Sequence, residues 1–261
     1  MAENLLSIKN LTVTVNDINI EKKLINDISL EIPALSIVAL VGGSGSGKTT
    51  TGLSILRLLP PALKISQGEI IFSGINILEK TEDQMRGLRG KEIGMVFQEP
   101  LVAFNPVFSV GYQINEVLEC HTTLNRQLRQ ARILDLLQRV GIDDPKRVAQ
   151  NYPHQLSGGL RQRVMIAQAI AASPKLIIAD EPTSNLDVTL QAKIMDLFRT
   201  LRKELNLSIL LITHDLGLVS HLADQVVVMQ QGKVVEAGAT DQVLTHPKHV
   251  YTQQLIETVK I

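Results

Sequence analysis

Four short apolar runs lie along the chain, and none shows the alternation of a strand with one polar face. They occupy residues 36–41, 175–179, 208–212 and 225–229. Such runs are typical of strands covered on both faces, as in parallel sheets. Three of them are followed by glycine-rich or polar clusters, and parallel sheets bind ligands beyond the carboxyl ends of their strands. The pattern predicts an α/β fold with a mostly parallel sheet and a ligand site at one edge.

Two other regions have different patterns. Residues 11–15 and 25–32 alternate apolar and polar side chains, which predicts an N-terminal antiparallel β subdomain. An inserted helical segment is predicted from the three- and four-residue spacing of apolar side chains between residues 124 and 140. Gly141 is placed to end that helix, and Asp144-Pro145 to start another. A further helical stripe covers residues 190–205 and stops at Asn206.

Composition narrows the function classes. Lys plus Arg and Asp plus Glu both number 26, so no net field draws the chain to nucleic acid. No run approaches the roughly 20 apolar residues of a spanning helix. The start, MAENLLSIKN, lacks the basic and apolar regions of a signal peptide, so we expect none. The single cysteine, Cys120, fits a reducing compartment.

A glycine-rich stretch follows the first buried run and has the form of a phosphate-binding loop. It consists of Gly42, Gly43, Ser44, Gly45, Ser46, Gly47, Lys48 and Thr49, which fit G-x-x-x-x-G-K-[ST]. Glycines allow successive N–H groups to converge on an anion, and the helix that follows, through Thr50, adds its dipole. In such loops the lysine contacts the β- and γ-phosphates, and the threonine hydroxyl ligates Mg²⁺. The stretch predicts ATP as the cofactor.

Polar residues after two other buried runs suggest hydrolysis. Asp180 lies where the second Mg²⁺-holding carboxylate of a P-loop enzyme is expected, and Glu181 could position the attacking water. His214 follows the run at 208–212 and could hydrogen-bond the γ-phosphate or the water. A structural acidic turn and a structural histidine are the plainer interpretations of these residues. The upstream phosphate loop favours the functional ones.

Five further stretches resemble ABC ATPases. They are Gln98 in MVFQEP for the Q-loop, LSGGLRQ at 156–162 for the signature LSGGQ, Asp180-Glu181 for Walker B, SNLD at 184–187 for the D-loop, and His214 for the switch histidine. The resemblance implies a P-loop NTPase (RecA-like) core of about residues 1–97 and 160–261, with a helical subdomain at 98–159. It also implies that Glu181, His214 and Gln98 are catalytic and that Thr49, Gln98 and Asp180 hold Mg²⁺.

The resemblance extends to partners. In this family two subunits pair head to tail, and the signature of one, here Ser157, Gly158 and Gly159, completes the ATP site of the other, with Asp187 close by. Ser157 and the glycine N–H groups begin a helix, which would make a second anion site of the same kind. The second subunit could be an identical chain or a related one.

Residues 97–114, 152–170 and 246–256 are similar to the subfamily that imports oligopeptides, dipeptides and nickel. That similarity implies two polytopic permease subunits, an indirect solute-binding protein, no nucleic acid, and a place on the cytoplasmic face of the cell membrane. The cargo stays open between peptides and a nickel or other metal chelate. The alternatives are an accessory exporter ATPase and a non-transport ABC ATPase, whereas a P-loop kinase or GTPase would leave LSGGLRQR unexplained.

Three positions depart from the family pattern. Leu160 replaces the usual signature glutamine, and Val15 stands where many relatives carry an aromatic that stacks on adenine. Such stacking is worth ~1–3 kcal/mol, so we expect weaker affinity or selectivity for the base. Leu35-Ser36 stands where Gly-Glu is usual, and nothing in the sequence explains the difference.

Overall fold

The structure, a computed structural model, describes residues 4–15, 22–184 and 186–259. Within these ranges the strands are β1 (Asn4–Val15), β2 (Lys23–Pro33), β3 (Ile37–Val41), β4 (Leu63–Phe72), β5 (Ile75–Asn76), β6 (Ile93–Val96), β7 (Leu176–Asp180), β8 (Ser208–Thr213), β9 (Gln225–Gln230) and β10 (Lys233–Ala239). The helices are α1 (Lys48–Leu56), α2 (Glu82–Leu88), α3 (Pro100–Ala103), α4 (Val110–His121), α5 (Arg126–Arg139), α6 (Pro145–Gln150), α7 (Gly158–Ala169), α8 (Val188–Leu205), α9 (Leu216–Leu222), α10 (Thr240–Thr245) and α11 (Val250–Val259).

The chain packs as two compact units. The first unit contains the residues up to Met85 together with those from Asn206 onward, and the second contains Arg86–Leu205. The predicted helical segment, 98–159, falls inside the second unit. The domain boundaries proposed from the family resemblance stay a prediction.

The first unit contains an antiparallel sheet with the strand order β2-β1-β4-β5. Leu6 of β1 pairs with Phe72 of β4 and Ile8 with Ile70, and all four side chains are buried. This confirms the antiparallel N-terminal strands predicted from residues 11–15 and 25–32. The long partner strand β4 was not predicted.

The parallel strands of the first unit centre on β3. It runs parallel to β8, with Val41 opposite Thr213, and parallel to β9, with Val41 opposite Val228. The strand β10 pairs with β9 in the antiparallel sense. All five residues of β3 and all six of β8 are buried, as expected for strands covered on both faces. The α/β class and the mostly parallel core are confirmed.

Leu35, two residues before β3, lies in a turn that suits the glycine of the family pattern. Leu35 adopts φ 59°, in the left-handed region that favours glycine, and its side chain is exposed. Its N–H donates to the Ser208 hydroxyl over 2.8 Å. A glycine at this position, as in the family pattern, would adopt the same turn without a steric cost.

The second unit combines a parallel strand pair with helices. β6 and β7 run side by side, with Val96 opposite Ala179. The Asn125 side chain accepts the Leu128 N–H and so caps α5, which begins two residues after the start of the predicted stripe. Gly141, at φ 78°, follows its end, and Asp144 caps α6 by accepting the Arg147 N–H. Both predicted helix boundaries are confirmed.

Across the ranges that the structure describes, no helix combines the length and apolar character needed to cross a bilayer.

Candidate active site

The predicted phosphate loop lies between β3 and α1, in the first unit. Gly42 has φ 154° and Gly47 φ 103°, conformations that side chains disfavour. A Cβ on Gly42 would lie 2.2 Å from the carbonyl oxygen of Met229, which makes glycine a steric requirement there. A Cβ on Gly45 would meet no described atom within 4 Å, so the loop is open at that residue. Ser44 and Gly45 are exposed.

Three hydrogen bonds within the first unit hold this loop in place, and two of them come from distant segments. The Gly232 N–H, in the turn between β9 and β10, donates to the Ser46 carbonyl oxygen over 3.0 Å. The Tyr251 hydroxyl, on α11, accepts the Gly43 N–H over 2.8 Å. The Thr51 hydroxyl donates to the Gly47 carbonyl oxygen over 2.9 Å. The loop is therefore held by its own chain at three points along its length.

Lys48 and Ser46 provide buried polar groups within the loop. The ammonium of Lys48, which is 7% exposed, donates to the carbonyl oxygens of Gly42 at 2.8 Å and Gly43 at 2.9 Å. The Ser46 hydroxyl is buried and has no hydrogen-bond partner among the described residues. A buried donor of this kind is costly unless a ligand satisfies it. Together with the glycine-bearing turn and the start of α1, these groups fit an anionic phosphate.

The remaining predicted residues of the first unit lie at the same sheet edge. Thr49 and Thr50 are in the first turn of α1, with Thr49 exposed. His214 directly follows β8, and it is exposed. Because β8 runs parallel to β3, the first unit brings His214 and the phosphate loop to the carboxyl ends of neighbouring strands.

Asp180 and Glu181 lie at the end of β7, in the second unit. Asp180 is the last residue of the strand and only 3% exposed. Glu181 has φ 46°, a left-handed conformation that costs a non-glycine residue on the order of 1–3 kcal/mol. The N–H and the hydroxyl of Ser184 both donate to the Glu181 carbonyl oxygen, over 3.1 and 3.0 Å.

Gln98 follows β6, and its side chain is exposed. Since β6 and β7 are parallel neighbours, Gln98 lies at the same strand-end edge as Asp180 and Glu181. The Ser184 hydroxyl also approaches the Gln98 carbonyl oxygen, at 3.5 Å. The second unit thus brings together its three predicted metal-side and water-side residues.

The start of α7 carries the predicted signature residues. Ser157 has N-cap dihedral angles, but its hydroxyl makes no capping hydrogen bond to the described backbone of the helix. Gly158 and Gly159 form the first turn, and a Cβ on Gly159 would lie 3.2 Å from a methyl carbon of Leu190. The Arg161 guanidinium donates to the carbonyl oxygens of Pro153 at 2.7 Å and His154 at 3.3 Å. Arg161 therefore fixes the loop before Ser157, while the N–H groups of the helix start remain available to another acceptor.

Asp187 has a local structural role. Its carboxylate accepts the Leu190 N–H over 2.9 Å and so caps the start of α8. Asn185, in the predicted D-loop, lies outside the described residues.

Sequence reasoning missed two residues that support the site. Arg161 was noted only as part of the signature, and Tyr251 only as part of the stretch at 246–256. The Arg161 contact spans eight residues, so a loop followed by a helix could have suggested it. The Tyr251 contact spans 208 residues, and no local pattern points from one partner to the other.

Comparisons with known proteins agree with this arrangement. The model of the family described as "ABC transporter" matches residues 25–184. The chain is 43% identical to the oligopeptide transport ATP-binding protein OppD of Bacillus subtilis over 98% of its own length and 72% of that protein. It is 46% identical to the ABC transporter ATP-binding protein YejF of Escherichia coli, of which it spans about half, 49%.

Solved structures give the same result. A dimeric ATP-binding cassette in a post-hydrolysis state, bound to ADP and Pi, matches 90% of this chain and 98% of that one, at 28% identity and a TM-score of 0.81. CbiO1 from Clostridium perfringens, part of an ABC transporter complex, matches 99% of this chain with a TM-score of 0.80. The predicted family, the fold class and the nucleotide-binding ATPase class are confirmed. The chain belongs to the ABC transporter family.

Proposed function

We propose that this chain is the ATP-hydrolysing subunit of an ABC importer and works as one of a pair. The observation that carries the proposal is the presence, in one chain, of two helix starts suited to an anion. One is the phosphate loop before α1, in the first unit, and the other is the uncapped start of α7, in the second.

ATP binding falls to the first unit. The loop amides from Ser44 to Thr49 and the dipole of α1 would hold the β- and γ-phosphates, and the Ser46 hydroxyl would gain a partner. Lys48 would turn its ammonium from the loop carbonyl oxygens to the phosphates, which are stronger acceptors because they are charged. Thr49, Gln98 and Asp180 supply hydroxyl, amide and carboxylate oxygens that suit Mg²⁺, which neutralises phosphate charge when it is bound.

Hydrolysis depends on residues at the strand ends. Glu181 would accept a hydrogen bond, and then the proton, from the water whose oxygen attacks the γ-phosphorus. The bond from that phosphorus to the oxygen bridging the β-phosphate breaks as the new P–O bond forms. Gln98 would help to orient the water, and His214 would donate a hydrogen bond to a γ-phosphate oxygen. The φ of 46° at Glu181 supports this role, since strained backbone conformations are concentrated at functional sites.

The second subunit supplies the rest of the site. Ser157 and the N–H groups of Gly158 and Gly159 would contact the γ-phosphate bound by the other chain. Asp187 would lie close to that contact, and the match to a dimeric cassette supports the pairing. ATP would then bridge two chains, and hydrolysis would remove the bridge. This is how the chemistry would open and close the pair.

An exposed apolar surface on the second unit supports a membrane partner. It follows Gln98 along the chain and includes Leu101, Val102 and Val107, which are 53%, 79% and 68% exposed. Exposed apolar clusters of this kind mark interaction sites. We propose that this surface contacts one of two polytopic permease subunits. The chain would then lie at the cytoplasmic face of the membrane and be linked indirectly to a solute-binding protein.

Peptides are the proposed cargo class. The curated relatives are described as oligopeptide and dipeptide transport proteins, and one from Agrobacterium fabrum as a peptidoglycan transport protein. A nickel or other metal chelate is the second cargo candidate, from the similarity of residues 97–114, 152–170 and 246–256 to nickel importers.

This function can be tested by co-expressing the full chain with its permease genes and purifying it from membranes. We expect two polytopic subunits to co-purify, and a peptide-loaded solute-binding protein to stimulate ATP hydrolysis. Val102→Glu should release the permease because it places a charge in the apolar surface, while its basal ATPase stays within about twofold of the parent. Ile75→Glu is the matched control, since Ile75 is 54% exposed but lies on β5 of the first unit.

An active ATPase that brings down no membrane protein would favour the non-transport ABC class. Stimulation without any solute-binding protein would favour an exporter. If a metal chelate and not a peptide is taken up, the cargo proposal is wrong while the importer proposal stands.

A further inference from the structure

The C-terminal helix of the first unit contacts the phosphate loop through the Tyr251 side chain. The Tyr251 hydroxyl accepts the Gly43 N–H over 2.8 Å, and the Gly43 carbonyl oxygen accepts the Lys48 ammonium over 2.9 Å. Gly43 is thus held on one side by α11 and on the other by the lysine of the phosphate loop. The Lys48 ammonium also donates to the Gly42 carbonyl oxygen over 2.8 Å, and that oxygen belongs to the same peptide group as the Gly43 N–H. The position of Tyr251 therefore influences a peptide group that Lys48 contacts.

Residues before α11 fix the position of this tyrosine. The Glu236 carboxylate, on β10, accepts the backbone N–H groups of Lys248 at 2.8 Å and His249 at 3.0 Å. The Tyr251 N–H in turn donates to the imidazole Nδ1 of His249 over 3.2 Å. The chain just before α11 is therefore anchored to the sheet, two and three positions before Tyr251.

Packing fixes the ring itself. Tyr251, with Leu255 and Ile256 of the same helix, packs against a buried cluster contributed by β3, α9, β9 and α10. That cluster includes Val41, the last residue before the loop. The ring and the loop therefore share one piece of core, and the hydroxyl cannot leave Gly43 without movement of the helix or of the ring.

We propose that Tyr251 is a positioning residue for ATP binding, whose hydroxyl keeps the phosphate loop in its nucleotide-accepting shape and ties nucleotide affinity to the docking of α11. This inference rests on the proposed function, since it needs the loop to bind ATP. The physical reason is preorganisation: a loop already held by its own chain loses less conformational freedom when the ligand binds.

Tyr251→Phe in the full chain tests this role, because phenylalanine keeps the ring in the core and removes only the hydroxyl. We expect the Kd for MgADP, measured by calorimetry, and the KM for ATP to rise threefold to tenfold, which is about 0.7–1.4 kcal/mol. The kcat should stay within about twofold and the Tm within about 2 °C, since Glu181 and the core are untouched. Tyr112→Phe is the matched control, because Tyr112 is 47% exposed and stacks on Phe108 in the second unit.

Three results would overturn the inference. The first is a Tyr251→Phe variant that binds MgADP as tightly as the parent or more tightly. The second is a fall in Tm with a reduced binding-competent fraction but an unchanged Kd, which would make Tyr251 a purely structural residue. The third is a parent chain that does not bind MgADP, and only this result would also remove the proposed function.

Discussion

The two helix starts that offer backbone N–H groups to an anion differ in how their own chain completes them. In the first unit, the loop before α1 has hydrogen-bond partners on α11 and in the turn between β9 and β10, both about 200 residues away. In the second unit, the loop before α7 is held by the nearby Arg161, and the Ser157 side chain leaves the described helix start uncapped.

The difference shows that one chain can hold one anion-binding helix start in a preformed shape and leave another to be completed from outside. A loop held from several directions presents a preformed site, and it can bind a nucleotide within one chain. A helix start whose exposed N–H groups have no capping side chain is only half of a site, because an acceptor from elsewhere has to complete it. This difference supports the proposal that the first unit binds the nucleotide and that the second completes the site of a partner.

Glu181→Gln should have the largest effect, and it distinguishes hydrolysis, which needs a residue of the second unit, from ATP binding at the first unit. Glutamine keeps the size of the side chain but cannot accept the proton of the attacking water, so turnover should fall about a thousandfold, within the range for general bases. ATP binding at the first unit should remain, and the variant should accumulate as an ATP-bound dimer. Single-turnover kinetics and light scattering measure the two quantities.

Glu92→Gln is the control for this substitution, because the Glu92 carboxylate forms a surface ion pair with Lys175, and such pairs contribute little to stability. Hydrolysis by Glu181→Gln at the parental rate would remove Glu181 from the chemistry. Loss of ATP binding instead of turnover would break the assignment of binding to the first unit.

Ser157→Asp should have the next largest effect and should move stability and activity in opposite directions. An aspartate would cap α7 and interact with its dipole, which stabilises the chain by about 0.5–1 kcal/mol. The same charge would repel a γ-phosphate, so ATPase activity should fall about a hundredfold, comparable to the loss of a transition-state donor. Denaturant unfolding and steady-state turnover give the two values.

Asn125→Asp provides the comparison, because Asn125 already caps α5 by accepting the Leu128 N–H. That variant should change turnover by less than about twofold. A Ser157→Asp variant with normal activity would show that the start of α7 does not meet phosphate.

Glu236→Gln should have the smallest effect, and it weakens the support behind the preformed loop. Burial raises the pKa of the Glu236 carboxyl, but the hydrogen bonds that it accepts, including those from Lys248 and His249, outweigh burial and lower the pKa below its ordinary value of 4.5. The ionised carboxylate therefore stabilises the fold above that pH, and the stabilisation is lost as the pH falls through the lowered pKa.

The parent should have a higher Tm than Glu236→Gln at pH 7, and the two values should converge as the pH falls below about 4.5. Thermal unfolding across this pH range measures the difference. A gap that persists or widens in acid would show that the carboxylate does not stabilise the start of α11.

The sequence predicted the parallel strands and helix boundaries well, because their determinants are local. The run at 175–179 became Leu176–Asp180, a shift of one residue, and Asp144 capped α6 as expected. The strand β4 was missed because half of its residues are exposed and Gly68 interrupts its pattern. A Cβ on Gly68 would lie 2.6 Å from the Cα of Leu11, so the glycine is required by a neighbouring strand that local patterning does not reveal.

The candidate site divides in the same way. The phosphate loop was predicted residue by residue, because every requirement of an amide-lined turn lies within eight consecutive positions. The support from Tyr251 and Gly232 could not be predicted, since it depends on which distant segments the fold brings to the loop. The capping role of Asp187 was also not predicted, because the family resemblance implied only a place close to the ATP site of the partner.

A crystal structure of Glu181→Gln with bound ATP and Mg²⁺ tests the central claim most directly. We expect two chains around two nucleotides, with the Ser157 hydroxyl about 3 Å from an oxygen of the γ-phosphate that Lys48 of the other chain contacts. A structure in which Ser157 lies far from any γ-phosphate, or reaches the nucleotide of its own chain, would contradict the account.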